Sequence, residues 1–492
     1  MTSPLQRIKA AVIDGRCREP RYIQKQLLTL HDALVREAAK CHEAIIRDTG
    51  CSSSEAWFEV HMTVQAIKHQ YGTINFHDCL EQEYSLAHGR DNTSRRLPFG
   101  CVYLVPSHNN QLFSILQPSC AAIAAGNCVV IEMEQRLLEI EKVLRNIVQQ
   151  NMDKDAFVIV EQRPAEDEFF TEQVIIVSAN GGQNVQSHGS AKLLISPSSR
   201  AIAVVDRSAN ISKAAKEIVQ ARFRFGGKSP YAPDLVLVND FALKQFCQAA
   251  VQYLTQDLSS VVNHSGISKP QTRGVSQTEL QAADATILVS GANGTIKLLR
   301  TREISILSKK INEPLLLIAP MSSLDDAIDT ANTSDSSLLA AYFFADVKAA
   351  KYLSQFIASR ISLTNFIPPQ LLVGPPAPQD HETSFATRYS KEMFSFPSPE
   401  HIASSPTANN SDRAANDVLD DTSSNKAATE KLKQSIREPL PPMGEPSGKS
   451  IGFFEQGLFT GLATEVVIVT SLLAVSARYV VPAILRRVGG GS

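Results

Sequence analysis

The stretch QPSCAAIAAGNCVVIE, residues 117–132, decides the fold. Its small and apolar first half continues a helical pattern that begins near residue 111, which predicts a helix over 111–125. Past Gly126 and Asn127 the run CVVIE (128–132) is short, apolar and rich in β-branched residues, as a buried strand is. The same alternation extends outward. CVYLV (101–105), AFVIV (156–160), QVIIV (173–177) and AKLLIS (191–196) are strand candidates, and a second helix is predicted over 134–150. Strand and helix in alternation point to an α/β fold with a parallel, doubly wound sheet.

The flanks complete the organisation. Residues 1–90 read as helices: Leu27, Leu28, Leu30, Leu34 and Ala38 fall largely on one face, and a second periodic run covers 53–70. After a first α/β unit over 91–220, residues 221–397 repeat the theme with LVLV, ATILVSG, EPLLLIAP and AAYFFA, with helices at 241–257, 323–332 and 346–359. Over 398–450 the composition turns to Ser, Asn, Asp, Ala and Pro with few large apolar residues. Such a segment buries too little surface to offset its chain entropy, so a disordered linker is expected. Residues 451–492 carry a largely apolar run, Val466 to Leu485, with one charge, Arg478, and followed by Arg486–Arg487. Twenty such residues span a hydrocarbon layer of about 30 Å. The expectation is a single-pass C-terminal tail anchor, residues 466–485, with the globular part in the cytosol at the endoplasmic reticulum or mitochondrial outer membrane.

Composition excludes other classes. A net charge of −2 over 492 residues gives no pull toward nucleic acid, and no nucleic-acid motif is present. The eight cysteines (17, 41, 51, 79, 101, 120, 128 and 247) form no CxxC or Cys/His cluster, which argues against a metal site and for reduced thiols. The N-terminal segment lacks the apolar stretch of a signal peptide.

Together with YAPDLVLV (231–238), the 117–132 string resembles the aldehyde dehydrogenase superfamily, and in particular the class 3, membrane-anchored fatty aldehyde dehydrogenases. The resemblance runs from about residue 20 to about 397. It implies a Rossmann-like cofactor domain, an interleaved catalytic-type domain and a dimerising β-arm, hence a homo- or heterodimer with a chain of the same kind. It also implies a reaction: a thiolate attacks the aldehyde, an amide holds the oxyanion, NAD(P) takes hydride and a carboxylate activates water.

By register with that family, FGGKSPYAPD (225–234) is the nucleophile loop and Pro230 stands at the cysteine. Proline offers neither a nucleophilic atom nor a backbone N–H. Ser229 and Tyr231 are the nearest hydroxyls. Ser196 stands at the general-base glutamate, with Ser198 and Ser199 at two glycines. Gly181 and Gly182 are what remains of the phosphate turn. Glu132 replaces a lysine directed at the adenosine ribose, and Lys310 a glutamate that would hold the nicotinamide ribose, so both charges are reversed. Asn109 retains the oxyanion-type amide, and Asn365 matches a family asparagine near the pocket. His108, His381 and His401 have no sequence neighbour suited to a Ser/His/Asp triad, and none is proposed.

Fold-building features thus persist while nucleophile, base and ribose contacts are replaced. The expectation is a catalytically degenerate relative that binds, scaffolds or regulates, with no cofactor. The alternative is an active NAD- or NADP-dependent oxidoreductase of hydrophobic aldehydes using a non-standard nucleophile such as Ser229. An unrelated nucleotide-binding module is a third reading.

Overall fold

Apolar runs of this length, separated by helices, bury both faces only in a parallel sheet with helices packed on either side. The computed structural model does this twice. It describes residues 3–89, 92–134, 136–164, 174–179, 192–261, 285–291, 294–333, 337–399, 426–441 and 453–488. In chain order the strands are β1 (Arg96–Pro98), β2 (Cys101–Val105), β3 (Cys128–Glu132), β4 (Phe157–Val160), β5 (Val174–Ser178), β6 (Lys192–Ile195) and β7 (Ala201–Val205). There follow β8 (Leu235–Asn239), β9 (Ala285–Gly291), β10 (Gly294–Leu299), β11 (Leu315–Met321), β12 (Ala340–Phe344), β13 (Ser362–Thr364) and β14 (Ser395–Pro397).

The first sheet has the order β4-β3-β2-β5-β6, and all its neighbours are parallel. Its order reverses between β2 and β5, which opens a crevice at the carboxyl ends of those strands, the usual ligand position in such sheets. The second sheet runs β13-β12-β7-β8-β11-β10-β9 and is parallel except for the antiparallel β9–β10 edge. β1 and β14 form a separate antiparallel ribbon.

Expected strands at 101–105, 128–132 and 285–291 have the observed bounds, and the others shift by one to three residues. Helices form at Gln111–Ala124, Glu139–Asn151, Asp240–Val261, Leu324–Ala331 and Val347–Phe356. β7 is a strand the sequence reading did not single out. It sits centrally in the second sheet yet lies N-terminal of the 220/221 boundary read from the sequence, which the helix Ile211–Phe223 crosses. Its side chains alternate between two cores. Ala201, Ala203 and Val205 pack with the Ile211–Phe223 helix, while Ile202 and Val204 pack on the opposite face with Leu237 and Phe343. The N-terminal helices Pro20–Thr49 and Ser53–Gly72 share a core with the first sheet.

Residues 1–403 and 404–492 form two separate units. Within the second, the helix Lys426–Arg437 falls in the stretch expected to be a linker. Residues 400–425 and 442–450, covered by the same expectation, lie outside the described residues. The helix Phe453–Val488 includes the expected span 466–485. Its window Glu455–Ala474 is long and apolar enough to cross a membrane and is fully exposed.

Candidate active site and cofactor cleft

The helix Ile211–Phe223 delivers Arg222 inward and then breaks through three left-handed residues, Phe225 (φ 52°), Gly226 (φ 64°) and Gly227 (φ 71°). Gly227 is required twice over. Its φ suits glycine, and a Cβ there would stand 2.6 Å from the Glu313 carbonyl oxygen. The loop continues through Ser229, Pro230 and Tyr231 to Asp234, at the amino end of β8.

Asp234 organises this loop. Its Oδ1 accepts from Arg222 (3.3 Å) and the Ile311 backbone N–H (3.0 Å). Its Oδ2 accepts from the Ala201 N–H (2.8 Å) and the Lys310 ammonium (2.8 Å). Arg222 is fully buried and Asp234 is 1% exposed. Arg222 donates further to the carbonyls of Gly227 (3.0 Å), Ile311 (2.8 Å) and Glu313. Two cations on one buried carboxylate are tolerable because backbone carbonyls satisfy the terminal nitrogens of Arg222, whose Nε alone is left without a partner.

Pro230, expected by register at the nucleophile position, is part of the same lock. Its carbonyl accepts a second hydrogen bond from Lys310. The Lys310 side chain is 18% exposed, and burial pulls its ammonium below the ordinary lysine value despite Asp234. The residue expected at the nicotinamide ribose thus faces inward and holds the loop down.

Asn109 reaches the loop as well. It follows β2 at the reversal of the first sheet, and its Nδ2 donates to the Lys228 carbonyl at 3.2 Å. Ser196, expected by register at the general-base position, is buried and donates to the Pro376 carbonyl (2.8 Å), with the Tyr389 hydroxyl at 3.3 Å. A series of buried side chains leads from Ser196 through Tyr389 and Arg388 to Tyr231, the neighbour of Pro230. The Arg388 guanidinium lies 5.5 Å over the Tyr231 ring, and Tyr342 donates to the Tyr231 carbonyl at 2.8 Å. Arg388, Tyr231, Tyr342 and Tyr389 are all buried. Burial lowers the Arg388 pKa and pushes the Tyr389 phenol up to about 12. Ser229 Oγ and the Tyr231 hydroxyl are buried without a hydrogen-bond partner. Asn365 does not serve the pocket. Its amide pairs with the backbone of Ala345, accepting at 3.1 Å and donating at 2.9 Å.

Glu132 stands apart from these groups, in a cavity of about 490 Å³ lined also by Glu134, Glu161, Gln162 and Arg163. Its Oε2 accepts from the Tyr103 hydroxyl at 2.6 Å, and burial followed by this bond raises the phenol's pKa. Three carboxylates and one guanidinium are a poor match for a polyanionic dinucleotide, and Lys310 is turned away. Among the described residues the donor set does not fit NAD(P) in the family's pose, so no chemical step is routed through it. Gly181 and Gly182 lie outside the described residues, as does His401. His108 Nδ1 accepts from the Arg136 guanidinium at 2.7 Å, and burial and that cation lower its pKa. His381 is part-buried and its pKa is lowered, first by burial.

Three groups escaped the sequence reading: Asp234, Arg388 and Glu59. Glu59 is buried beneath the turn that carries Asn109. It accepts from Asn110 Nδ2 (2.9 Å) and lies 3.4 Å from the Phe113 N–H, and desolvation pushes its carboxyl up to about 7. A signal was available, since Glu59, Thr63 and Gln70 share a buried stripe with Ala56, Ala66 and Ile67 on one helix.

The aldehyde dehydrogenase family profile matches residues 16–366. The chain belongs to the aldehyde dehydrogenase family. Its relatives include human aldehyde dehydrogenase family 3 member B1, 24% identical over 355 residues, covering 66% of this chain and 72% of that one. The 4,4'-diaponeurosporen-aldehyde dehydrogenase of Staphylococcus aureus is 22% identical over 62% of this chain and 72% of its own. Among solved structures, the substrate-bound state of Staphylococcus aureus AldH superposes with a TM-score of 0.64 at 18% identity, over 82% of this chain and 95% of that one. The NADP complex of glyceraldehyde-3-phosphate dehydrogenase from Methanocaldococcus jannaschii gives 0.61 at 14% identity, over 81% and 92%. The fold expected from 117–132 is the fold observed, and the class 3 assignment agrees with the family 3 relative.

Proposed function

We propose that this chain is a catalytically degenerate aldehyde dehydrogenase-like protein, anchored to a membrane by the helix Phe453–Val488, that acts as a binding, scaffolding or regulatory partner. It would pair with itself or with an active relative through the family's dimer surface. Its membrane is that of the endoplasmic reticulum or the outer mitochondrion, with the globular unit in the cytosol.

One observation carries the reading: Lys310 is bound at once to the Pro230 carbonyl and to Asp234. Aldehyde oxidation through an acyl enzyme needs a nucleophile that can approach a carbonyl carbon, and a base within hydrogen-bond reach of the attacking water. Here the loop offers a proline, its backbone is pinned by an ammonium, and the base position is a serine engaged with Pro376 and Tyr389. Arg388, Tyr231, Tyr342 and Tyr389 beside them are buried. Asn109 survives as an amide, but its donor is directed at Lys228.

The alternative, an oxidoreductase of hydrophobic aldehydes with Ser229 as nucleophile and NAD or NADP as oxidant, draws on one fact: Ser229 Oγ lacks a partner. The same fact counts against it, since no base hydrogen-bonds to that hydroxyl.

The test is turnover by the purified full chain in phosphatidylcholine nanodiscs, supplied with medium- and long-chain aldehydes and either cofactor. No NAD(P)H and no covalent adduct by intact mass are expected. Cofactor-dependent turnover, or an ester on Ser229, overturns the proposal. Pro230→Cys combined with Ser196→Glu is expected to stay inactive, because the ribose contacts are not restored.

A further inference from the structure

Two cysteines far apart in sequence meet in the fold. Cys17 lies in the single turn Arg16–Arg18 that joins the first two helices, and Cys128 is the first residue of β3. They are separated by 111 positions, yet their sulfurs are 3.5 Å apart. Cys17 is 5% exposed and Cys128 fully buried. Among the described residues no other pair of sulfurs is in contact.

Both partners are held by rigid surroundings. Gly126 (φ 89°) brings the turn before β3 so close to the Arg16–Arg18 turn that a Cβ would stand 3.2 Å from the Cys17 carbonyl oxygen. Asn127 clasps the same turn, accepting from the Gly100 N–H (2.9 Å) and donating to the carbonyls of Phe394 (3.0 Å) and Ala122 (3.2 Å). The two sulfurs therefore meet without either backbone needing to search.

The pair is also chemically unequal. A hydrogen bond from Cys128 outweighs burial and holds the Cys17 thiol below its ordinary value, and the Arg16 charge acts in the same direction. That bond and burial together push Cys128 up. The thiolate is the nucleophile in thiol oxidation, so Cys17 attacks and Cys128 resolves.

We propose that Cys17 and Cys128 are a redox modification site that a hydroperoxide converts to a disulfide. The Cys17 thiolate attacks the peroxide O–O bond, which breaks to give Cys17 sulfenic acid and an alcohol or water. The Cys128 sulfur then forms the S–S bond, its proton leaving with the displaced hydroxide as water. Two electrons pass to the peroxide, and overall two thiols and one hydroperoxide give one disulfide, one alcohol and one water. With hydrogen peroxide the alcohol is a second water. The bond ties the N-terminal helix Pro4–Asp14 and its following turn covalently to the first sheet, closing a loop of the kind that most restricts the unfolded chain.

The experiment exposes the full chain in phosphatidylcholine nanodiscs to hydrogen peroxide, then denatures, alkylates and maps its peptides. A Cys17–Cys128 peptide is expected, with the chain lighter by two hydrogens, a raised thermal midpoint and reversal by dithiothreitol. Cys128→Ser, which keeps a hydrogen-bond donor beside Cys17 but cannot form the disulfide, is expected to leave Cys17 as a sulfenic acid that dimedone captures, and Cys101→Ser to leave the disulfide intact. Cys101 provides the sharpest challenge, since it is the registered neighbour of Cys128 across β2 and β3. A Cys101–Cys128 link overturns the proposal, as does full alkylation of all eight thiols after peroxide. The wild-type map decides the matter even where a variant fails to fold.

Discussion

Asp234→Asn isolates the lock under the nucleophile loop. The substitution keeps the shape and removes the charge. Each carboxylate oxygen serves two donors, so whichever side becomes the amide presents N–H to N–H. One orientation faces Arg222 and the Ile311 N–H, and the other faces Ala201 and Lys310. Lys310 can shed its proton, because burial already lowers its pKa. Arg222 cannot, and with 0% exposure it has no solvent to turn to. Breaking a buried pair in this way costs about 3–5 kcal/mol, a large share of the roughly 5–15 kcal/mol that holds a typical domain folded. Urea unfolding followed by circular dichroism measures it. A second substitution, Lys310→Met, made in the Asp234→Asn background removes one orphaned cation and is expected to recover about 1 kcal/mol or more. A loss below about 1 kcal/mol for Asp234→Asn, or strict additivity of the pair, refutes the lock.

Gly227→Ala places a methyl group against the Glu313 carbonyl in a left-handed residue, so a loss of at least about 1–2 kcal/mol is expected in the same unfolding assay. Glu59 carries a pKa of about 7 in the fold against 4.5 ordinarily. The native state holds the extra proton between those values, so its stability contribution is full below the lower and is lost as pH rises through the upper. The loss is about 3 kcal/mol. Glu59→Gln is expected to flatten that slope, and an unchanged slope in urea titrations across the range would exclude Glu59 as its source. Thermal midpoints are expected not to move with millimolar NAD or NADP, and a rise of several degrees would show a working cofactor pocket. NADP is expected to be the weaker of the two, because Glu132, Glu134 and Glu161 repel a further phosphate.

Local pattern made most of the fold legible. CVYLV and CVVIE are short runs of mostly apolar, largely β-branched or aromatic residues and became β2 and β3 without adjustment. β7 was harder to see, since Ala201 and Ala203 dilute its hydrophobicity and SPSSR precedes it. Its strand character comes from its central place between β12 and β8. The site was legible only as a set of positions. Sequence register located Pro230, Ser196 and Lys310, but the groups that explain them are remote. Asp234 is 76 positions from Lys310, and Tyr389 is 193 from Ser196. Lys310 read alone is a reversed charge at a ribose contact, and only the folded chain gives it a partner. Nothing local marks Arg388 as buried, so its place over Tyr231 leaves no sign in the sequence.

The Lys310–Asp234 contact also limits what either position can become. Installing an acid at 310 would set two carboxylates side by side where Asp234 is only 1% exposed. One of them would have to take up a proton, or the loop would have to lift away from Arg222. Change at 310 therefore demands coordinated change at 234, and any single step passes through a less stable protein. The two positions can drift only as a pair.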